Sequence, residues 1–142
     1  MPVLFDSSMY ITALRVGGDA ALLLQRLARE SPLWLSSVVL EELYAGADDA
    51  GLRILTKLER DFEQANRLLT PNHGDWTRAG KLLASLGQKY GYEEIGLARL
   101  ANDALIATSA LRNGVTVIAA NQRNFKRLAE FCLLQWQPRT AN

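Results

Sequence analysis

Short apolar segments of strand length alternate with longer segments of helical periodicity, and this alternation most limits the folds open to the chain. Apolar runs predict strands at residues 3–5, 32–35, 115–119 and 133–136. The segments between them carry apolar side chains at helical spacing, as in the helix predicted over residues 52–69. Strands separated by helices are typical of a parallel sheet covered by helices. We therefore expect a single helix-rich α/β domain over residues 1–142, built as a three-layer α/β/α sandwich with a central, mainly parallel sheet.

Capping residues predict where several helices begin and end. Ser36 or Ser37 suits the start of a helix over residues 38–45, and Asp75 suits the start of a later one. A strongly apolar helix over residues 97–113 is followed by Gly114, which can adopt the left-handed conformation that ends many helices.

Charge and cysteine content exclude several classes of protein. The 16 basic and 15 acidic side chains give a net charge of +1, so any binding of nucleic acid must use a local patch. Cys132 is the single cysteine, which rules out an internal disulfide and favours a reducing compartment. No apolar stretch approaches the roughly 18 residues of a membrane span, and the first residues do not resemble a signal peptide. We expect a cytoplasmic protein without a membrane partner.

Asp6 is the first candidate site residue because it ends the apolar run Pro2-Val3-Leu4-Phe5 and is followed by Ser7 and Ser8. In open α/β sheets, ligands bind just outside the carboxyl ends of the strands. A first strand that ends in a carboxylate therefore predicts a functional site at this edge of the sheet.

Two further acids lie on predicted helices among apolar neighbours. Glu42 shares its helix face with Val38, Val39 and small residues, whereas the adjacent Glu41 is better explained as part of a solvated face. Asp103 lies in the middle of an apolar helix, where Asp is an unfavourable residue. Burying such carboxylates is costly unless they are paired, hydrogen-bonded or bound to a metal.

Two explanations of these acids remain open. Each acid alone is accounted for by local hydrogen bonds or by a nearby cation such as Arg99. Taken together with Asp6, the acids favour a cluster, in which the carboxylates would repel one another without a cation. A hard divalent ion such as Mg²⁺ or Mn²⁺ prefers oxygen ligands and suits this set.

Four segments in order resemble the motifs of the PIN domain family, and more closely the VapC-type toxin ribonucleases of toxin–antitoxin pairs. They are Leu4-Phe5-Asp6-Ser7-Ser8, the segment from Ser36 to Gly46, Asn102-Asp103-Ala104-Leu105-Ile106-Ala107, and the segment from Val115 to Phe125. In the second segment the ligand of the family is the acid directly before Leu, which selects Glu42. The fourth segment departs from the family pattern, because Ala119 replaces the usual Thr and Asn occupies both places where an acid is often found, Asn121 and Asn124.

The resemblance implies cleavage of RNA phosphodiester bonds by a metal-activated water. It assigns Asp6, Glu42 and Asp103 as ligands of Mg²⁺ or Mn²⁺, Ser8 as a residue that orients a ligand or a water, and Asn121 as a residue that holds a water or substrate. Basic side chains near the site would hold flanking phosphates. The candidates are Arg99, Arg112, Arg123, Lys126 and Arg127.

Partners and alternative functions follow from other features. The early helices carry more apolar side chains than one core needs, among them Leu14, Leu22 and Leu23, so we expect a homodimer or an antitoxin to cover part of this surface. The two Asn residues of the fourth segment favour an alternative function, a catalytically weak PIN-fold module that binds RNA or protein. A phosphoacceptor receiver domain is disfavoured, because Asp6 has no acidic partner beside it and the late strand is not followed by Lys.

Overall fold

The computed structural model describes residues 1–16, 20–29, 31–95 and 98–139, except for the side chains at 16–23 and 94–99. Within these residues the strands are β1 (Val3–Phe5), β2 (Leu33–Ser36), β3 (Leu68–Leu69), β4 (Thr116–Ala119) and β5 (Trp136–Pro138). The helices of the same part of the chain are α1 (Ser7–Val16), α2 (Ala20–Leu27), α3 (Ser37–Ala45), α4 (Asp49–Gln64), α5 (His73–Tyr90), α6 (Tyr92–Ile95), α7 (Ala98–Asn113) and α8 (Gln122–Ala129).

The strands form one sheet in the order β3-β2-β1-β4-β5, and every pairing between them is parallel. Because crossovers between parallel strands are almost always right-handed, this strand order puts α1 to α4 on one face of the sheet and α5 to α8 on the other. The prediction of an α/β/α sandwich with a central parallel sheet is therefore confirmed. The strand order reverses between β1 and β4, and the carboxyl ends of these two strands flank the crevice where such sheets bind ligands.

The core surrounds β1, which lies in the middle of the sheet. Val3, Leu4 and Phe5 are all buried, as expected for a strand covered by helices on both faces. On α7, Ala104, Ala107 and other small or apolar residues are also buried, which lets this helix pack against α5 and α8. The same helix also contacts α3.

The strand predictions are wrong at two places. The helix predicted over residues 52–69 ends at Gln64, and Asn66 turns the chain with a left-handed φ of 56° before β3 begins. The two leucines of β3 continue the apolar spacing of the helix, which conceals the strand in the sequence. The last strand lies at Trp136–Pro138 instead of residues 133–136.

The predicted start of α5 is also displaced, by three residues. Asn72 is the N-cap, and its side-chain oxygen accepts a hydrogen bond of 2.8 Å from the backbone N–H of Asp75. The Asp75 carboxylate in turn accepts one of 2.9 Å from the backbone N–H of Asn72, which completes a capping box. Gly114 follows α7 with a left-handed φ of 66°, as predicted.

None of the helices in the described residues is long and apolar enough to cross a membrane.

Candidate active site

Asp6 lies at the carboxyl end of β1 and is held by hydrogen bonds on both carboxylate oxygens. Oδ1 accepts a bond of 2.6 Å from the hydroxyl of Ser8, and Oδ2 accepts one of 2.8 Å from the backbone N–H of Ala120. Ala120 directly follows β4, so Asp6 bridges the two strands where the strand order reverses. Asp6 is 7% exposed. The orienting role predicted for Ser8 is consistent with this contact.

Asp103 lies on α7 and is 6% exposed. Its Oδ2 accepts a hydrogen bond of 2.9 Å from the side-chain amide of Asn124, in the first turn of α8. This bond offsets part of the cost of placing a carboxylate in an otherwise apolar helix.

The segment Ala120–Asn124 therefore contacts both aspartates. Its own conformation is fixed by Asn121, the N-cap of α8, whose side-chain oxygen accepts a bond of 3.4 Å from the backbone N–H of Asn124. The catalytic role of Asn121 stays a prediction, and the structure adds a capping role to it. The segment brings the carboxylates of β1 and α7 to one side of the sheet.

Glu42 lies apart from this pair, on α3. It is half-buried and lines a cleft of about 520 Å³ with Leu14 and Arg15 of α1 and the first turns of α4. No three acidic, histidine or cysteine side chains of the described residues are close enough together to hold a metal ion. The assignment of Glu42 as a third ligand stays a prediction, although its helix contacts the helix of Asp103.

The described residues fit a divalent ion in their chemistry. Mg²⁺ takes hard oxygen ligands, keeps several waters and is commonly held by only one or two protein carboxylates. Asp6 and Asp103 supply two buried carboxylates at the ligand-binding edge of the sheet.

The predicted RNA-binding residues have different surroundings. Lys126 and Arg123 lie exposed on α8, whereas Arg127 is half-buried, with its guanidinium 4.1 Å from the centre of the Tyr90 ring. Arg112 donates to the buried carboxylate of Asp75 at 2.9 and 3.0 Å, so its position is explained by the packing of α5 and α7. The side chain of Arg99 lies outside the described residues.

Two contacts of the site were not predicted from the sequence. The amide of Asn124 was considered only as a missing acid, and its bond to Asp103 depends on how α8 packs against α7. Tyr10 lies one turn after Asp6 on α1 and is 1% exposed, with its ring edge against Phe5. Burial and, to a smaller extent, the charge of Asp6 raise the pKa of its phenol. Asp6 directly precedes α1, so the spacing of four residues to Tyr10 is the sequence signal that places the two residues about one turn apart.

The fold and the site define a class of protein: a parallel α/β/α sandwich with an acidic site where the strand order reverses. The chain belongs to the PIN domain family, whose model matches residues 3–131. A comparison with curated proteins finds no match.

Several solved structures share the fold. The chain is 24% identical to a chain in VapBC2 from Rickettsia felis bound to a promoter DNA fragment, with a TM-score of 0.65 and coverage of 97% of this chain and 98% of that one. It is 20% identical to a chain of DNA-bound VapBC from Salmonella typhimurium, with a TM-score of 0.68 and coverage of 99% of each chain. It is 22% identical to a chain of VapBC-1 from nontypeable Haemophilus influenzae, with a TM-score of 0.64 and coverage of 99% of this chain and 100% of that one.

Proposed function

We propose that this chain is a metal-dependent endoribonuclease and the toxin of a toxin–antitoxin pair. The observation that carries the proposal is the attachment of two buried carboxylates, Asp6 and Asp103, to the single segment Ala120–Asn124. They lie at the point of the sheet where ligands bind in this class of fold. Membership of the PIN domain family supports a nuclease.

Asp6 and Asp103 are the residues that would hold Mg²⁺ or Mn²⁺. Glu42 would join them as a third ligand only if its side chain moved toward this pair, because no three such side chains of the described residues lie together. A bound ion of this kind lowers the pKa of a water and offsets charge that develops on the phosphate. Ser8 and the N–H of Ala120 keep the Asp6 carboxylate oriented, and the amide of Asn121 positions a water or the substrate.

The RNA would lie across the start of α8. Lys126 and Arg123 are exposed there, a few residues from Asn124, and provide positive charge for the phosphates that flank the cleaved bond. Arg112 is left out of this set, because its guanidinium is bound to Asp75.

An antitoxin would bind the cleft beside Glu42. Ile11 and Ile54 line this cleft and are 38% and 37% exposed, so an apolar peptide segment would bury them. The similar structures from three bacteria are VapBC complexes, which supports a partner of this kind. We further propose that the chain forms a homodimer and acts in the cytoplasm. Of the early leucines, Leu24 is buried in the core, and the side chains of Leu22 and Leu23 lie outside the described residues.

Cleavage of structured RNA by the purified chain tests the proposal. We expect cutting with Mn²⁺ or Mg²⁺, none with chelator, and loss of activity in Asp6→Asn and Asp103→Asn. Asp61→Asn is the matched control, since it removes the same charge from an exposed pair on α4. Equal activity in all variants, or activity that survives chelation, would contradict the proposed site.

A catalytically weak binding module is the second candidate function. It is favoured by Asn121 and Asn124, which provide amides where a nuclease of this family often provides acids. A module of this kind would bind RNA or a protein partner without cleaving it, and the cleavage of RNA by the wild-type chain would exclude it.

A further inference from the structure

Asn124 provides an interaction that an acid in its place would be unable to provide. Its side-chain N–H₂ donates to Asp103 Oδ2 at 2.9 Å, while its backbone N–H donates to the side chain of Asn121. An ionised Asp has acceptors only, so it would face the Asp103 carboxylate without a proton to share. The neutral amide therefore stabilises Asp103 without adding negative charge to the site.

We propose that Asn124 is a positioning residue that holds Asp103 in place of a second cation, so that the site operates with a single divalent ion. This inference rests on the proposed function. Carboxylates that share a site need positive charge or donors to offset their repulsion. Within the described residues no third carboxylate joins Asp6 and Asp103, so their two charges match one divalent ion. The donors from Asn124, Ser8 and Ala120 stabilise these carboxylates without another ion.

Asn124→Asp reverses the role of the side chain. It removes the donor and places a second carboxylate against Asp103. The metal-free protein therefore becomes less stable, while its affinity for divalent cations rises. Asn124→Ala removes the same hydrogen bond but adds no charge. Gln122→Glu is the matched charge control, because it adds a carboxylate to the same turn of α8 on an exposed side chain.

Thermal unfolding of these variants and the wild type, in chelator and across a Mn²⁺ titration, tests the proposal. In chelator we expect the Tm of Asn124→Asp to fall by about 5–10 °C and to lie below that of Asn124→Ala, because both lose a bond to a charged group and only one gains repulsion. With Mn²⁺ we expect its stabilisation midpoint to fall on the order of tenfold relative to the wild type, equivalent to about 1.4 kcal/mol. Gln122→Glu should follow the wild type in both measurements.

The midpoint separates positioning from a purely structural role, since loss of a structural bond lowers the Tm without tightening the binding of metal. A wild-type midpoint in Asn124→Asp, or equal Tm values for the Asp and Ala variants in chelator, would overturn the inference. If the Mn²⁺ response follows the expectation and the wild type cuts no RNA, the nuclease proposal alone fails. If neither the wild type nor Asn124→Asp responds to Mn²⁺, both proposals fail.

Discussion

Replacing Asp75 by Asn tests how much one buried charge contributes to the packing of α5 against α7. The Asp75 side chain is 0% exposed, and its carboxylate accepts bonds from Arg112 at 2.9 and 3.0 Å and from Arg78 at 2.7 Å. Asn has nearly the same shape and can still accept the capping bond from Asn72. The substitution therefore removes mainly the negative charge that faces two guanidinium groups.

The expected loss follows from this geometry. Removing one partner of a buried ion pair costs about 3–5 kcal/mol. The side chains of Arg78 and Arg112 are 51% and 34% exposed, so water recovers part of their solvation when the charge is lost. We expect Asp75→Asn to lower the free energy of unfolding by about 2–3 kcal/mol, or the Tm by roughly 8 °C. Asp61→Asn removes an exposed pair with Lys57 and should cost no more than about 0.5 kcal/mol.

The loss should depend on pH in one direction. Burial alone would raise the pKa of Asp75, but the hydrogen bonds from Arg112, Asn72 and Arg78 outweigh it and lower the pKa below the ordinary value. The stability from this group is thus present above the unfolded pKa of about 3.9 and is lost as the pH falls through the lower folded pKa.

Urea unfolding followed by circular dichroism at neutral and acidic pH measures both quantities. The difference between the wild type and Asp75→Asn should be constant near pH 7 and shrink below about pH 4. The reasoning is refuted if Asp75→Asn costs no more than Asp61→Asn near pH 7, or if its cost is undiminished in acid.

Four further substitutions have defined outcomes. Tyr10→Phe should raise the free energy of unfolding by up to about 1 kcal/mol, since the buried hydroxyl has no hydrogen-bond partner among the described residues; a lower free energy of unfolding in urea would contradict this and reveal a partner. Ser8→Ala removes the 2.6 Å bond to Asp6 and should raise the Mn²⁺ midpoint about tenfold in a thermal-shift titration, and an unchanged midpoint would contradict the orienting role. Gly114→Ala should cost about 1–2 kcal/mol in urea unfolding because φ is 66° there, whereas Gly80→Ala within α5 should be stabilising; equal effects would show that backbone conformation is not the cause.

The sequence predicts those parts of the fold that depend on local patterns. The apolar run before Asp6 and the β-branched run before Ala119 correspond to β1 and β4, and both strands are buried except at the partly buried Ile118. β3 has only two residues, and its pairing with β2 depends on the turn at Asn66. β5 includes Pro138, which is tolerated at the edge of the sheet and is a poor signal for a strand.

The candidate site likewise combines residues that local sequence patterns reveal with contacts that only the packed fold brings about. Asp6 and Asp103 are recognisable from apolar surroundings within a few positions of each residue. The bond from Asn124 to Asp103 joins residues 21 positions apart on two packed helices, and no local pattern specifies it. The pairing of Arg112 with Asp75 spans 37 positions and gives a candidate RNA contact a structural role that composition alone does not indicate.

The bond between Asp6 and Ala120 imposes an order on events during synthesis. The two residues are 114 positions apart, and ribosomes add about 5–20 residues per second, so the carboxylate exists for roughly 6–23 seconds before its partner amide is made. During this time the nascent chain carries Asp6 without β4 beside it. A chain interrupted before β4 therefore lacks the organised site, and any activity that depends on this site begins only when the sheet is nearly complete.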